Sequence, residues 1–292
     1  MSNMTAANTK GALLMIGSMA AFTVSDTFVK ATGGQVPLFQ LITLRTILTA
    51  ALLGVLAWRL GALRFSANGA TWGLIGLRCL GEIGAAYFFL TALLNMPLAN
   101  ITAILQVLPL VVTLGAFLFF KEPIGWRRLS AIFVGFGGML LIVRPGPDGF
   151  SLYAGYALAA VLCVTLRDLA TRRMPDDIPS LGIAFLTSVA VLIAAAFASL
   201  TEEWRPVAPH LAALIFGSSL FIMCGYLLSV LVMRVGEVSF VAPFRYTSLL
   251  WALVLGWFVF GDWPDTVTLI GAGILVASGV FTFYRERQVS GV

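Results

Sequence analysis

The chain has 292 residues, of which 60% are hydrophobic and only 11% are charged, and its net charge is +5. Because a soluble globular protein carries roughly 25% charged residues, this composition argues against a soluble enzyme, a disordered chain and a DNA-binding domain. It indicates an integral membrane protein, with the lipid bilayer as a partner and no nucleic acid. The three cysteines lie far apart and His210 is the single histidine, so we predict no metal site and no cofactor.

Ten apolar runs are long enough to cross a bilayer, which takes roughly 20 residues in a helix. Glycine and proline separate the runs, and the loops between them are short. The first run lacks a clean cleavage site, which argues against a signal peptide. We therefore predict an all-α integral membrane protein with ten transmembrane helices. The runs are residues 11–30, 38–58, 70–94, 98–120, 128–144, 151–171, 178–200, 209–233, 238–260 and 266–284.

The basic residues predict the orientation, because cytoplasmic loops collect Lys and Arg. With the N-terminus inside, eleven basic residues fall in inner segments and three, Lys30, Arg144 and Arg205, fall in outer ones. This asymmetry predicts a multi-pass protein of the cell inner membrane with both termini cytoplasmic. The eleven are Lys10, Arg59, Arg64, Lys121, Arg127, Arg128, Arg172, Arg173, Arg234, Arg285 and Arg287.

The two halves of the chain share landmarks at similar offsets. Asp26 and Lys30 recur 142 residues later as Asp168 and Arg172, and Tyr87 recurs at an offset of 139. Chance similarity between apolar helices is the alternative to duplication of a five-span unit. The predicted organisation is a tail at 1–10, repeats at 11–145 and 146–284, and a tail at 285–292. Since five is odd, the second repeat would be inverted, as in many secondary transporters.

Several segments resemble the drug/metabolite transporter superfamily, in its ten-span type with two EamA repeats. They are residues 99–109, 120–122, 135–138, 242–246, 260–262 and 271–273, together with Arg45 in the second span. The chain departs from the pattern at Ala131, at Asp262 and at Ser248 or Leu249. The resemblance implies export or exchange of small metabolites, often amino acids. It also implies a cavity lined mainly by spans one, three, four, six, eight and nine.

Charges inside a membrane usually face a cavity or a partner. Asp26 and Lys30 share a helix face, as do Asp168 and Arg172, and Thr23 and Thr165 precede them by one turn. We hypothesise that these groups form matching outer and inner gates. In the alternative, the cations lie near helix ends and each Asp merely pairs with its neighbour.

Arg78 and Glu82 form a further i, i+4 pair in span three. As a buried pair they would be structural; otherwise they could bind the carboxylate and the ammonium of a zwitterion. Tyr87 points away from that pair. Phe22 and Phe89 lie on the charged faces of spans one and three and could form an aromatic wall.

Spans four and nine each carry polar residues and a proline. Thr102, Gln106, Pro109 and Thr113 lie within a narrow arc of span four, which suggests a kinked cavity lining, with close helix packing as the alternative. In span nine, Tyr246 shares one side with Ser239, Pro243 and Thr247. Arg45 and Arg245 are candidates for structural charges that hold helices together.

The sequence thus predicts a secondary transporter and no enzyme, because no catalytic or phosphate-binding motif is present. The predicted activity is outward transport of small metabolites, most of all amino acids including aromatic ones, by alternating access, as a monomer or a homodimer. The alternatives are uptake of a nucleoside, a vitamin or a similar solute, and a membrane protein that does not transport. Each intramembrane carboxylate has a basic residue nearby, which favours uniport or exchange over proton coupling.

Overall fold

A computed structural model describes residues 2–121, 125–144, 151–175, 177–235 and 241–290, and within them the chain is helical and forms no strand. The predicted all-α class is therefore confirmed for this part of the chain. Glu122 and Ser239, on which sequence predictions rest, lie outside the described residues. The α-helices are α1 (Ser2–Ala31), α2 (Leu38–Arg59), α3 (Gly69–Asn95), α4 (Leu98–Leu105), α5 (Leu108–Phe120), α6 (Trp126–Val143), α7 (Leu152–Arg172), α8 (Ser180–Ala198), α9 (Pro209–Val235), α10 (Thr247–Phe260) and α11 (Thr266–Ser290), with 3-10 helices at Ser199–Thr201 and Ala242–Tyr246.

Eight helical segments of the described chain are long and apolar enough to span a membrane. One combines α4 with α5, and another combines the 3-10 helix Ala242–Tyr246 with α10. The remaining two predicted spans correspond to shorter apolar stretches, Leu129–Val143 in α6 and Thr266–Thr282 in α11. Large apolar side chains such as Phe119, Trp126 and Phe258 are more than 70% exposed, as a lipid-facing surface requires.

Residue types at the helix ends explain where the helices begin and stop. Gly33 and Gly34 adopt positive φ angles of 60° and 70° after α1, a conformation that glycine adopts without strain. The Asn68 side chain accepts a hydrogen bond of 2.9 Å from the backbone N–H of Thr71 and caps α3. Asp265 caps α11 likewise: the Thr268 backbone N–H, with help from Arg144, lowers the pKa of the Asp265 carboxyl.

The helices pack in four principal pairs: α1 with α9, α3 with α7, α2 with α8, and α6 with α11. In the first pair, the Ser18 hydroxyl donates to the Gly225 carbonyl and the Ser25 hydroxyl donates to the Ser218 carbonyl, each at 2.8 Å. The two helices therefore run antiparallel. Suppose each of the first five spans is exchanged with the corresponding span of the last five. The α1–α9 pair then becomes the α7–α3 pair, and the α2–α8 and α6–α11 pairs each map onto themselves.

Glycine allows α6 and α11 to approach closely. A Cβ atom at Gly138 would lie 2.7 Å from the Gly271 carbonyl oxygen, and one at Gly271 would lie 2.6 Å from the Gly138 carbonyl oxygen. Real Cβ atoms do not come this near, so the backbones touch where both side chains are missing. Small residues at the contact are the usual means of close packing between membrane helices.

Candidate functional site

A cavity of about 450 Å³ lies between the helices. Segments of both halves line it, whereas none of the described side chains of α6 and α11 does. The six spans expected from the family resemblance all contribute, and α2 and α8 add hydroxyl groups and Arg45. Its polar and charged lining side chains are Thr23, Asp26, Arg45, Thr46, Thr49, Arg78, Glu82, Thr102, Gln106, Arg167, Thr187, Ser188, Tyr226, Ser229, Arg245 and Ser248.

Arg167 holds two carboxylates. Its guanidinium donates to Glu82 on α3 at 3.0 Å and to its neighbour Asp168 at 2.8 Å. The three side chains are between 22% and 29% exposed. The expected pairing of Glu82 with Arg78, four residues earlier on the same helix, is therefore wrong. Glu82 instead reaches across the close α3–α7 contact, which spacing along one helix could not reveal.

Arg78 is held by hydroxyl groups instead of a carboxylate. Its Nε donates to Thr187 Oγ1 on α8 at 3.3 Å, and a terminal nitrogen donates to Thr171 Oγ1 on α7. The guanidinium therefore joins α3 to α7 and α8 at the cavity wall.

Arg45 connects α2 to α1. One terminal nitrogen donates to Ser25 Oγ at 2.9 Å, and the Arg45 carbonyl oxygen accepts from Ser219 on α9 at 3.1 Å. These contacts agree with the structural role proposed from the sequence, and the same side chain lines the cavity. Its residue exposure is 9%, and its Nε has no hydrogen-bond partner among the described atoms.

The fourth span is interrupted, which confirms the kink predicted there. α4 ends at Leu105 and α5 begins at Leu108, with Pro109 in its first turn. In the gap, Gln106 Nε2 donates to Ser248 Oγ of α10 at 2.8 Å. Of the four residues in the expected arc, Thr102, Gln106 and Pro109 line the cavity. Thr113 does not, and its hydroxyl donates to the Pro109 carbonyl within its own helix.

The structure brings eight of the predicted cavity or gate residues to this one cavity, together with Arg45 and Arg245. Five others lie elsewhere: Lys30, Thr165, Asp168, Arg172 and Tyr246. Those at the cavity are Phe22, Thr23, Asp26, Arg78, Glu82, Phe89, Thr102 and Gln106. Tyr87, expected to point away, indeed lies outside and stacks against Phe39 with ring centroids 5.7 Å apart.

Thr165 and Tyr246 each follow directly after a residue that lines the cavity, Val164 and Arg245, but do not line it themselves. Thr165 is 7% exposed, and its hydroxyl donates to the Val161 carbonyl of the same helix. Tyr246 is 5% exposed and its ring fills the space beside Gly279 of α11. Since successive helical residues are rotated by about 100°, an error of one position moves a side chain off the cavity.

Basic side chains cover an aromatic ring at each end of the helix assembly. Lys30 Nζ donates to the Met96 carbonyl at 2.6 Å and lies 5.3 Å from the centre of the Phe260 ring. The Arg173 guanidinium lies 4.3 Å from the centre of the Phe120 ring. No ion pair joins Lys30 to Asp26 within the described residues, so the expected partner of Lys30 is corrected to the end of α3 and to Phe260.

Arg167 and Tyr226 also line the cavity, although the sequence did not predict them as site residues. Arg167 shares the helix face of Ala160 and Val164, which also line the cavity, so the positions four and seven residues apart were the available signal. Tyr226 contacts Phe22 edge-on at 5.4 Å, a contact between distant segments that no sequence pattern marks.

The cavity offers charged and hydroxyl groups for binding, and no cluster of three potential metal ligands occurs in the residues that the structure describes. The sequence model of the EamA-like transporter family matches residues 9–144 and 151–284. The chain belongs to the EamA-like transporter family. Each matched segment spans one half of this EamA-family chain, so two copies of the family unit together form the molecule and the walls of its cavity.

Relatives of this EamA-family chain carry different substrate names. An S-adenosylmethionine uptake transporter of Rickettsia bellii is 26% identical over 193 residues, 66% of each chain, so the chain spans slightly less than two thirds of that relative. A riboflavin transporter of Vibrio cholerae is 26% identical over 215 residues, covering 72% of this chain and 71% of the relative. A pseudopaline exporter of Pseudomonas aeruginosa is 24% identical over 291 residues, covering 95% and 97%.

A protein of known crystal structure has the same fold. It aligns with a TM-score of 0.63 at 17% identity, over 97% of this chain and 99% of the other. At this identity the likeness concerns the fold alone. The chain is therefore a member of the EamA-like transporter family with several helices long and apolar enough to span a membrane.

Proposed function

We propose that this protein is a secondary transporter that carries a small organic metabolite through the central cavity by alternating access. The observation that carries the proposal is the cavity itself: about 450 Å³ of space lined by charged and hydroxyl side chains from both family repeats. Polar and charged side chains are costly inside a membrane, and those that face an internal cavity commonly mark a substrate pathway. We propose that one copy of the chain binds the substrate, because both repeats of the same chain contribute to the cavity wall.

We further propose ten spans arranged as two inverted five-helix repeats in the inner membrane. The apolar stretches of α6 and α11, of 15 and 17 residues, would rise about 23 and 26 Å, and flanking helical turns add the remainder. The exchange of helix pairs between the halves supports the inverted repeat, as does the interruption of a helix near Gln106 and again before Thr247.

Labelling of single cysteines from outside the cell tests this topology. In a cysteine-free background, Gln35→Cys and Glu203→Cys should react with an impermeant maleimide, whereas Arg64→Cys and Asp177→Cys should react only after permeabilisation. Gln35 and Asp177 occupy the first loops of the two repeats. Reaction of both from the same side would contradict the inversion.

The basic residues at the two ends of the assembly are candidates for gates. Lys30 ties the end of α1 to the end of α3 and to Phe260, and Arg173 covers Phe120. Under the proposed topology, the first contact lies on the outer side and the second on the cytoplasmic side. The contacts of Lys30 with Met96 and Phe260 take the place of the expected pairing of Lys30 with Asp26. Asp168 and Arg172 are close in sequence to Arg173, which forms the inner contact.

Amino acids moved outward are our first substrate candidate, because the cavity combines cations, carboxylates and an aromatic wall. Counterflow in proteoliposomes tests this: vesicles loaded with unlabelled amino acid should accumulate the labelled compound. The absence of saturable counterflow for every amino acid would overturn the substrate, and a rate that does not respond to an imposed pH gradient would argue against proton coupling.

Uptake of a vitamin or a nucleotide-like solute is the second candidate, supported by the names of the riboflavin and S-adenosylmethionine relatives. Flux measurements on intact cells distinguish export from uptake. An exporter accelerates the loss of preloaded label, whereas an uptake carrier accelerates accumulation of label added outside. Cells that express the Glu82→Gln variant at the same level are the control.

A further inference from the structure

The cavity wall carries more positive than negative charge. Among the described residues, four arginines line it, Arg45, Arg78, Arg167 and Arg245, against two carboxylates, Asp26 and Glu82. Counting Asp168, which binds Arg167 from outside the lining, still leaves four cations and three anions. An uncompensated charge in low-dielectric surroundings is costly, so a negatively charged solute would be stabilised here and a cation would be repelled.

The cations are not equally engaged. Arg167 is bound by Glu82 at 3.0 Å and by Asp168 at 2.8 Å, which compensates its charge. Arg245 makes no side-chain hydrogen bond with the described part of the chain, although its backbone carbonyl accepts from Ser248 at 3.0 Å. Among the described residues its guanidinium therefore has no hydrogen-bonded partner, and Asp168, which already binds Arg167, is the opposite charge that acts on it.

Arg45 supplies a donor that the protein leaves unused. The residue is 9% exposed, and one terminal nitrogen is engaged by Ser25 at 2.9 Å. Its buried Nε–H has no acceptor among the described atoms, although buried donors are nearly always satisfied. Asp26 lines the same cavity without reaching hydrogen-bond distance of that nitrogen. An acceptor oxygen of a bound solute would complete the site, and carboxylates match the guanidinium geometry well.

An apolar surface faces the same space. Phe22 and Phe89 line the cavity, and Tyr226 packs edge-on against Phe22 with ring centroids 5.4 Å apart. Aromatic walls of this kind accommodate the hydrophobic body of a ligand, while a few polar groups fix its orientation.

We propose that this cavity selects small organic anions, whose carboxylate hydrogen-bonds Arg45 and balances the charge of Arg245 while an apolar body lies against Phe22 and Phe89. The inference rests on the proposed function in taking this cavity as the transport site. Among amino acids, it favours those with a second carboxylate. A lone ammonium group would meet only Asp26, since Glu82 is bound by Arg167.

Binding to the purified full-length protein in nanodiscs tests the selection with solutes of one skeleton and different charge. The probes are 3-phenylpropanoate, 3-phenylpropanamide and 3-phenylpropylamine, and then hexanoate, hexanamide and hexylamine, measured by calorimetry. We expect each carboxylate to bind about tenfold more tightly than its amide, and the amines to bind most weakly. Equal affinities, tighter binding of an amine, or no binding of either carboxylate would overturn the proposal.

Variants locate the site. Arg245→Gln, which removes no side-chain hydrogen bond among the described residues, and Arg45→Gln should each weaken carboxylate binding about tenfold and leave amide binding unchanged. Arg45→Lys keeps the charge without the Nε–H and should fall between. The exposed Arg64, in the loop after α2, gives the control Arg64→Gln, which should bind as the parent does. Normal carboxylate binding by Arg245→Gln and by Arg45→Lys would overturn the proposal even if Arg45→Gln fails to fold.

Counterflow of the same solutes separates this inference from the proposed function. Selective binding of carboxylates without any counterflow would retain the anion site and reject transport. Saturable counterflow of amines or amides, with no advantage for the carboxylates, would retain transport and reject the anion site.

Discussion

The Gln106 side-chain amide donates to the Ser248 hydroxyl at 2.8 Å and so joins the interrupted fourth span of the first repeat to α10 of the second. Gln106 lies between α4 and α5, and Ser248 lies in the first turn of α10, directly after the 3-10 helix Ala242–Tyr246. Both residues line the cavity. The pair is therefore a direct polar link between the two repeats at the site, as is the ion pair of Glu82 with Arg167.

Removing this link should reveal a measurable coupling. Gln106→Ala and Ser248→Ala should each lower the unfolding temperature, and the double variant should lose less than the sum, with a coupling of about 1 kcal/mol. The measurement is thermal unfolding of the four purified proteins in one detergent. Strict additivity would show that the two side chains contribute independently. Thr113→Ala, within the same span and bonded only to its own helix, is the matched control.

The two carboxylates held by Arg167 make its loss more damaging than the loss of either partner. Arg167→Gln leaves Glu82 and Asp168 close together without their shared cation, and should destabilise the protein by about 3 kcal/mol. Glu82→Gln leaves Arg167 bound to Asp168 and should cost less. Chemical unfolding of the variants measures both effects. An equal loss in the two variants would indicate that Asp168 contributes little to holding Arg167.

The contact of α6 with α11 should tolerate no side chain at its centre. Gly138→Ala and Gly271→Ala each place a Cβ atom less than 3.0 Å from a carbonyl oxygen, and such overpacking costs about 1–3 kcal/mol. Gly137→Ala and Gly273→Ala are matched controls, since a Cβ there meets nothing within 4 Å. Expression level and unfolding temperature measure the difference, and equal behaviour of all four variants would contradict the close contact.

If Lys30 holds one end of the cavity closed, its removal should increase access from that side. In a cysteine-free background carrying Thr102→Cys, Lys30→Met should speed labelling by an impermeant maleimide about tenfold, through loss of the hydrogen bond to Met96 and of the contact with Phe260. Phe260→Leu should have a smaller effect of the same sign. Lys10→Met, at an exposed position of α1 far from Lys30 in sequence, is the control. Unchanged labelling in both Lys30→Met and Phe260→Leu would rule out a gate.

The helices were predictable because a membrane imposes them. A span must satisfy its own backbone hydrogen bonds and present apolar side chains over about 20 residues, and both conditions are visible in a single sequence. Proline and glycine marked the helix ends for the same local reason, and Pro109 marked the interruption after Leu105. The family resemblance was also local, since it rests on short segments such as those at residues 99–109.

The charged partners at the site were decided by tertiary structure. Spacing along one helix suggested that Glu82 pairs with Arg78 and Asp26 with Lys30, because residues four apart are neighbours on a helix. In the folded chain, Glu82 binds Arg167 on α7 and Lys30 binds the end of α3. The sequence by itself determined the helices and the short set of buried charges, whereas only helix packing determined which charges meet, because an ion pair depends on distance in space and not on separation along the chain.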